Sequence, residues 1–144
     1  MPDPARDAGA IARVVLHPTD PNVAWVAVAG NLWKPTAERG VFKTTDAGRS
    51  WNKVLYVDTL SGATDLVMDP RSPDILYAAT YTHLRTVFGY NGGGPGSAIW
   101  KSLNGGATWQ NILFVDDRTG AVDLCMDPTN PRILYAGFWQ VSRS

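Results

Sequence analysis

Short apolar segments bounded by turn residues recur along this 144-residue chain. Residues 75–79 (Ile-Leu-Tyr-Ala-Ala) and 133–137 (Ile-Leu-Tyr-Ala-Gly) are apolar on both faces of a strand, a pattern typical of strands covered on two sides by neighbouring sheets. The segment 64–68 is also apolar and is followed by Asp-Pro. We predict strands at 64–68, 75–82, 98–102 and 109–115, and these four form one structural unit.

Paired prolines separate the first two predicted strands of each unit. They lie in the segments 69–74 (Asp-Pro-Arg-Ser-Pro-Asp), 127–132 (Asp-Pro-Thr-Asn-Pro-Arg) and 17–22 (His-Pro-Thr-Asp-Pro-Asn). Proline fixes its own φ and has no backbone N–H to donate to a sheet, so the strands must stop there.

The chain repeats itself with a period of 58 residues. The segment 44–51 (Thr-Thr-Asp-Ala-Gly-Arg-Ser-Trp) is similar to 102–109 (Ser-Leu-Asn-Gly-Gly-Ala-Thr-Trp), and Tyr77 recurs as Tyr135. A looser first copy begins earlier, because His17-Pro18 precedes Asp69-Pro70 by 52 residues. Periods of this length indicate a propeller or a solenoid.

The repeated turn has a definite chemistry. An Asp or Asn oxygen accepts hydrogen bonds from nearby backbone N–H groups, a glycine permits positive φ, and a tryptophan packs its ring under the turn. This pattern resembles the Asp-box, or bacterial neuraminidase repeat. The residues that carry it are Thr44, Asp46, Gly48 and Trp51 in the first copy and Ser102, Asn104, Gly106 and Trp109 in the second.

Residues 11–140 resemble the bacterial sortilin-type propellers that are often labelled glycosyl hydrolases. The segment 40–46 (Gly-Val-Phe-Lys-Thr-Thr-Asp), with 31–33 before it and 93–97 later, carries the resemblance. It implies an all-β fold of β-propeller blades, each of four antiparallel strands, with Asp-box hairpin turns. The expected organisation is a disordered segment 1–10, a first blade at 11–62, a second at 63–120 and half of a third at 121–144. Because propellers have four to eight blades, we expect either a fragment or a chain that closes by association.

Composition excludes several classes of partner and cofactor. Thirteen basic and thirteen acidic residues balance, so a nucleic-acid partner is not expected. No apolar run approaches the roughly 18 residues needed to cross a bilayer, so no membrane segment is predicted. The single Cys125 cannot form an internal disulfide or a cysteine metal cluster, and we predict that it is a small buried core residue.

No cofactor or metal is predicted. His17 and His83 lack a second ligand at a recognised spacing. The segment 92–96 lacks the Lys-Ser/Thr of a phosphate loop, and we predict a flexible turn there. The family resemblance implies an extracellular or periplasmic location, although Met1–Ala10 contains no apolar core of a signal peptide.

The family resemblance implies that the Asp-box turns lie at one end of the fold and that the candidate binding loops lie at the opposite end. These loops are 31–39 and 83–97 and the links 58–62 and 116–120, where the repeat breaks down. Flat rings there stack on sugars or anchor peptides. The alternative is blade packing, which we predict for Trp25, Phe42 and Trp100 and, in part, for Trp139. The candidate ligand-binding residues are Trp33, Glu38, Arg39, Tyr81, His83, Arg85, Tyr90 and Asn91.

No catalytic residue is predicted. A glycosidase needs two carboxylates roughly 5 to 10 Å apart, but this chain has one glutamate, Glu38, and its twelve aspartates mostly recur from unit to unit. Turn and strand-end roles explain such aspartates better than acid–base catalysis. Arg39, Arg85 and Tyr90 are residue types that a sialidase site uses, but nothing in their spacing assembles them, and exposed loop charges explain the two arginines.

The sequence therefore predicts a non-catalytic propeller segment that acts as a protein-interaction or scaffold module. We expect self-association through an open strand edge near Ile133 to Gln140, because an unpaired edge accepts another chain. A peptide or a glycan is the expected ligand. The alternative is a fragment of a secreted glycoside hydrolase, sialidase- or xyloglucanase-like, that binds carbohydrate.

Overall fold

The computed structural model describes residues 8–143, and these form antiparallel β-sheets with no helix among them. No described helix is therefore long and apolar enough to span a membrane. The strands are β1 (Ile11–Leu16), β2 (Ala24–Val28), β3 (Gly40–Thr44), β4 (Asn52–Leu55), β5 (Ser61–Met68), β6 (Leu76–Arg85), β7 (Tyr90–Gly92), β8 (Ala98–Ser102), β9 (Gln110–Leu113), β10 (Gly120–Met126), β11 (Leu134–Trp139) and β12 (Val141–Arg143).

The first sheet is an antiparallel meander in the order β1-β2-β3-β4. Its central strand β2 is buried along its whole length, as its run of Ala, Trp and Val residues requires. Val26 pairs with Val14 on one side and with Phe42 on the other. The predicted disordered segment 1–10 lies mostly outside the described residues, but Ala8 is buried against Val28 and Phe42.

The second sheet repeats this order with β5, β6, β8 and β9. The four predicted strands are present, with ends shifted by up to three residues. The main difference is β6, which continues to Arg85 and pairs there with the short strand β7, and β12 pairs with the far side of β7. The predicted loop 83–97 thus contains a hairpin that pairs with residues 141–143.

The third sheet is a hairpin of β10 and β11. Among the described residues, β11 pairs on one side only, and its exposure alternates along the strand because one face packs on the second sheet. Leu124 faces inward, whereas Cys125 faces outward and is exposed. The prediction that Cys125 is buried is therefore wrong, since no described sheet covers its face.

Apolar side chains fill the two spaces between successive sheets. Trp25, Val41, Leu66 and Leu76 pack between the first and second sheets. A second cluster between the second and third sheets contains Tyr77, Ala79, Ile99, Ala121 and Leu124. Burial on both faces of the middle sheet explains why its strands are apolar at successive positions.

One buried carboxylate connects all three sheets. Asp65 on β5 accepts a hydrogen bond from Arg13 Nε of β1 at 2.8 Å and one from the Leu124 N–H of β10 at 2.9 Å. Burial alone would raise the pKa of Asp65, but the bonds from Arg13 and from backbone N–H groups lower it on balance. The carboxylate is 2% exposed and fully partnered, as a buried charge must be.

The two similar turns, 44–51 and 102–109, share their hydrogen bonds from backbone N–H groups to side-chain oxygens. Thr44 Oγ1 accepts from the Gly48 N–H at 2.9 Å, and Ser102 Oγ accepts from the Gly106 N–H at the same distance. The N–H of residue 50 donates to Asp46 Oδ1, and that of residue 108 donates to Asn104 Oδ1. Asn104 therefore accepts the same bond that the charged Asp46 accepts.

Candidate functional site

A three-stranded ribbon projects from the end of the second sheet opposite these turns. It consists of the last residues of β6 together with β7 and β12, and the turn at 86–89 closes the β6–β7 hairpin. In the register of this ribbon, Arg85 and Arg143 lie on either side of Tyr90. Directly opposite residues of antiparallel strands point to the same face, so these three side chains share one surface.

The loop of the first sheet adds an aromatic ring to this surface. The Arg85 N–H donates to Leu32 O at 2.8 Å, so the end of β6 is attached to this loop. Trp33 N–H donates to Asn31 Oδ1 at 2.8 Å, which shapes the loop as an Asx turn. The Arg85 guanidinium then lies 5.2 Å from the centre of the Trp33 ring, a cation–π contact.

These elements enclose a cleft of about 550 Å³, which we call the loop cleft. Its walls are mainly apolar and aromatic, and Phe88 at the tip of the β6–β7 hairpin is 89% exposed. Its charged residues are arginines only. The lining residues are Leu32, Arg85, Thr86, Val87, Phe88, Gly89, Tyr90, Trp139, Val141 and Arg143.

A buried tyrosine holds Tyr90 in the cleft. The hydroxyl groups of Tyr81 and Tyr90 are 2.7 Å apart, and the Tyr81 ring stacks on His83 with centroids 5.1 Å apart. Burial, and then the hydrogen bond with Tyr90, raise the pKa of Tyr81, so its hydroxyl stays neutral. Burial and the charge of Arg39 lower the pKa of His83, which stays neutral near pH 7.

Glycines provide the space that the Tyr81 ring occupies. A Cβ added to Gly92 would lie 2.0 Å from the Tyr81 hydroxyl, and one added to Gly120 would lie 2.0 Å from its ring. Gly93 and Gly94 are likewise buried against backbone and Thr82. The segment 92–96 is therefore packed against its neighbours, and the prediction of a flexible turn is wrong.

The side chain of Arg39 is fully buried, at 0% exposure. Its guanidinium donates to four backbone carbonyls, those of Ala29, Asn31, Lys34 and Leu60. Burial lowers the pKa of Arg39, but arginine remains protonated in proteins. The interpretation of Arg39 as an exposed loop charge is wrong, because the charge is used to fasten the loop 31–39.

The structure separates the eight candidate binding residues into groups. Arg39, Tyr81 and His83 are at most 6% exposed, so their side chains are too buried to contact a ligand directly. Trp33 is 60% exposed and stacks on Arg85 beside the cleft, while Arg85 and Tyr90 line it.

The remaining two candidates are not part of the loop cleft. Asn91 pairs with Leu84 and Ser142 on the opposite face of the ribbon, and its Nδ2 donates to Gly93 O. Glu38 is half-buried and makes no side-chain hydrogen bond within residues 8–143. Sequence reasoning thus selected three of the residues at the cleft.

Sequence reasoning missed Phe88 and Arg143, and it assigned Trp139 partly to the core. Trp139 is 47% exposed and lines the cleft, with its ring 6.3 Å from that of Tyr81. One available signal was the repeat itself, because Arg143 follows Arg85 by 58 residues.

Most described carboxylates form turns or ion pairs. Asp58 accepts from the N–H groups of residues 60 and 61, and Asp116 accepts from that of Arg118. Among residues 8–143, no group of three or more His, Cys, Asp or Glu side chains is arranged to hold a metal ion.

The comparisons with known proteins identify a fold. A crystal structure of the Niastella koreensis GH74 enzyme is similar to this chain, with a TM-score of 0.58 and 21% identity. The match covers 88% of this chain but 17% of that protein. The fold is propeller-like. No family model matches the chain, and no curated protein matches it.

Proposed function

We propose that this chain is a carbohydrate-binding segment of a β-propeller of the glycoside-hydrolase kind, with the loop cleft as its binding surface. In this proposal, residues 11–62 and 63–120 are two blades, residues 121–144 are half of a third, and the turns 44–51 and 102–109 are Asp-box turns. The GH74 neighbour supports a propeller-like architecture, and the ligand class is argued from the cleft.

The observation that carries the proposal is the concentration of exposed rings at one end of the molecule. Trp33, Phe88 and Trp139 are each about half exposed or more, and Tyr90, held by Tyr81, lines the cleft. Water-exposed aromatic rings in a concave site with a few polar groups are the usual means of binding sugars through stacking.

The described carboxylates favour binding without catalysis by this segment. Neither Glu38 nor any aspartate is among the residues that line the loop cleft. Since glycoside hydrolysis uses a pair of carboxylates across the scissile bond, an active site in the whole protein would take its acids from elsewhere.

The test is calorimetric titration of the chain with a panel of plant and bacterial oligosaccharides. We expect at least one glycan to bind, and Trp33→Ala with Phe88→Ala to weaken it about tenfold or more, because each ring contributes roughly 1 kcal/mol of stacking. Leu103→Ala is the matched control, because Leu103 is an exposed apolar residue on a turn outside the cleft. Absence of binding across the panel would refute the proposal.

A second candidate function is a protein-interaction module that pairs with other chains through β11. The one-sided pairing of β11 within residues 8–143 and the exposure of Tyr135 and Cys125 favour it. Unpaired backbone groups and an uncovered apolar face are both stabilised by a neighbouring sheet.

A further inference from the structure

Two arginines on separate strands are the charged residues among the described residues that line the loop cleft. Arg85 ends β6 and Arg143 ends β12, and both lie opposite Tyr90 on β7. Their Cα atoms are therefore about two strand spacings, ~10 Å, apart across one face. Tyr90 lies between them on β7.

Among residues 8–143, no acidic side chain forms an ion pair with either arginine. The residues that line the cleft include no Asp or Glu, and within residues 8–143 the only salt bridge joins Arg13 to Asp65 in the core. Because the formal charge of the chain is zero, the arginines produce a local positive field and not a general one.

The rest of the cleft favours a ring-shaped ligand. Trp139 and Phe88 present flat apolar surfaces. The Arg85 guanidinium stacks on the Trp33 ring, and this contact orients the guanidinium. Guanidinium groups bind carboxylates through paired, planar N–H donors. A ligand that satisfies both features has an anionic carboxylate on a sugar ring.

We infer that the loop cleft binds acidic oligosaccharides, with uronate carboxylates held by Arg85 and Arg143 and the sugar rings stacked on the surrounding aromatic side chains. This inference rests on the proposed function and specifies its ligand. Tyr90 lies between the two arginines, and its hydrogen bond with Tyr81 holds it there.

The experiment compares three probes by calorimetry at low salt: an oligogalacturonate, its neutral methyl ester and a sulfated oligosaccharide of equal length. We expect the oligogalacturonate to bind at least tenfold more tightly than its ester. Arg85→Gln and Arg143→Gln, made separately, should each remove most of this preference, measured in each variant as the ratio of acid to ester affinity.

Arg49→Gln is the matched control, because it removes one exposed arginine at the opposite end of the molecule. Equal binding of acid and ester would overturn the inference and leave the proposed function intact, whereas no glycan binding would overturn both. Tighter binding of the sulfated probe would overturn the carboxylate assignment. Circular dichroism of each variant reports folding, and a preference retained by two folded glutamine variants would also refute the inference.

Discussion

At the scale of single residues, one position of the repeated turn has nearly the same left-handed backbone geometry in both copies but carries a different residue in each. Ala47 has φ of 59°, in the left-handed region, and its counterpart Gly105 has φ of 66°. The N–H of each donates to a carbonyl in the preceding turn, that of Asn22 or of Asp74, at about 3 Å. The conformation is therefore fixed by the same contact in both, and Ala47 bears a steric cost that glycine avoids.

We expect Ala47→Gly to raise the free energy of unfolding by about 0.5 kcal/mol, the left-handed penalty less the extra entropy of an unfolded glycine. Ala107 is an exposed turn alanine with negative φ, so Ala107→Gly should lower the free energy of unfolding by a similar amount. Urea unfolding measures the change in the free energy of unfolding for both variants, which should be positive for Ala47→Gly and negative for Ala107→Gly. A decrease in both variants would contradict the assignment of strain to Ala47.

At the scale of elements, the buried side chain of Arg39 fastens the loop 31–39 to its surroundings. Arg39 reaches carbonyls in that loop, at the end of β2 and in the link before β5. A planar group with five donors satisfies carbonyls in several directions at once, which an ammonium on a flexible stem does not reproduce.

Arg39→Lys should therefore lower the free energy of unfolding by about 3 kcal/mol, because several buried carbonyls lose their donors. Arg49→Lys, at an exposed position, should change it by less than about 0.5 kcal/mol. Denaturant titration measures both values. Similar stability of the two variants would show that the buried guanidinium does not hold the loop.

The sequence pattern predicted the all-β architecture and the repeating strands, because alternation, paired prolines and the 58-residue period are local signals. It did not predict β7 and β12, which are three residues each; β7 forms a short hairpin with the end of β6, and β12 forms only when it meets β7, which is distant in the chain. The burial of Arg39 and the exposure of Cys125 were not predicted either, because each depends on which part of the folded chain covers the residue. The aromatic candidates at the cleft could be selected from the sequence by residue type. Arg143 could not, because the pairing of β12 with β7 brings it to the cleft.

At the scale of the whole molecule, the three sheets pack one after another, and within residues 8–143 no sheet covers the outer face of the third. Tyr135 on β11 is 65% exposed and Ile133 just before it is 39% exposed, although their unit repeats the buried pattern of the second sheet. In the second sheet, Tyr77 at the corresponding position is 9% exposed because the third sheet covers it. The same sequence pattern thus predicts a covering sheet for β11.

We expect the chain to associate in solution, and Tyr135→Glu to shift it toward monomer because a charge on this face opposes its burial. Light scattering on a size-exclusion column measures the mass. Leu103→Glu adds the same charge to an exposed turn residue and should leave the mass unchanged. A wild-type monomer, or equal effects of the two substitutions, would argue against association through this face.

The second turn is completed by the sheet that precedes it. Trp25 Nε1 and Lys43 Nζ, both of the first sheet, donate to Gly105 O at 3.0 and 3.1 Å. The second sheet cut from the chain would lack these donors, so we expect it to be less stable alone than beside the first sheet. The order of the sheets along the chain, as well as the sequence of each sheet, therefore contributes to the stability of this turn.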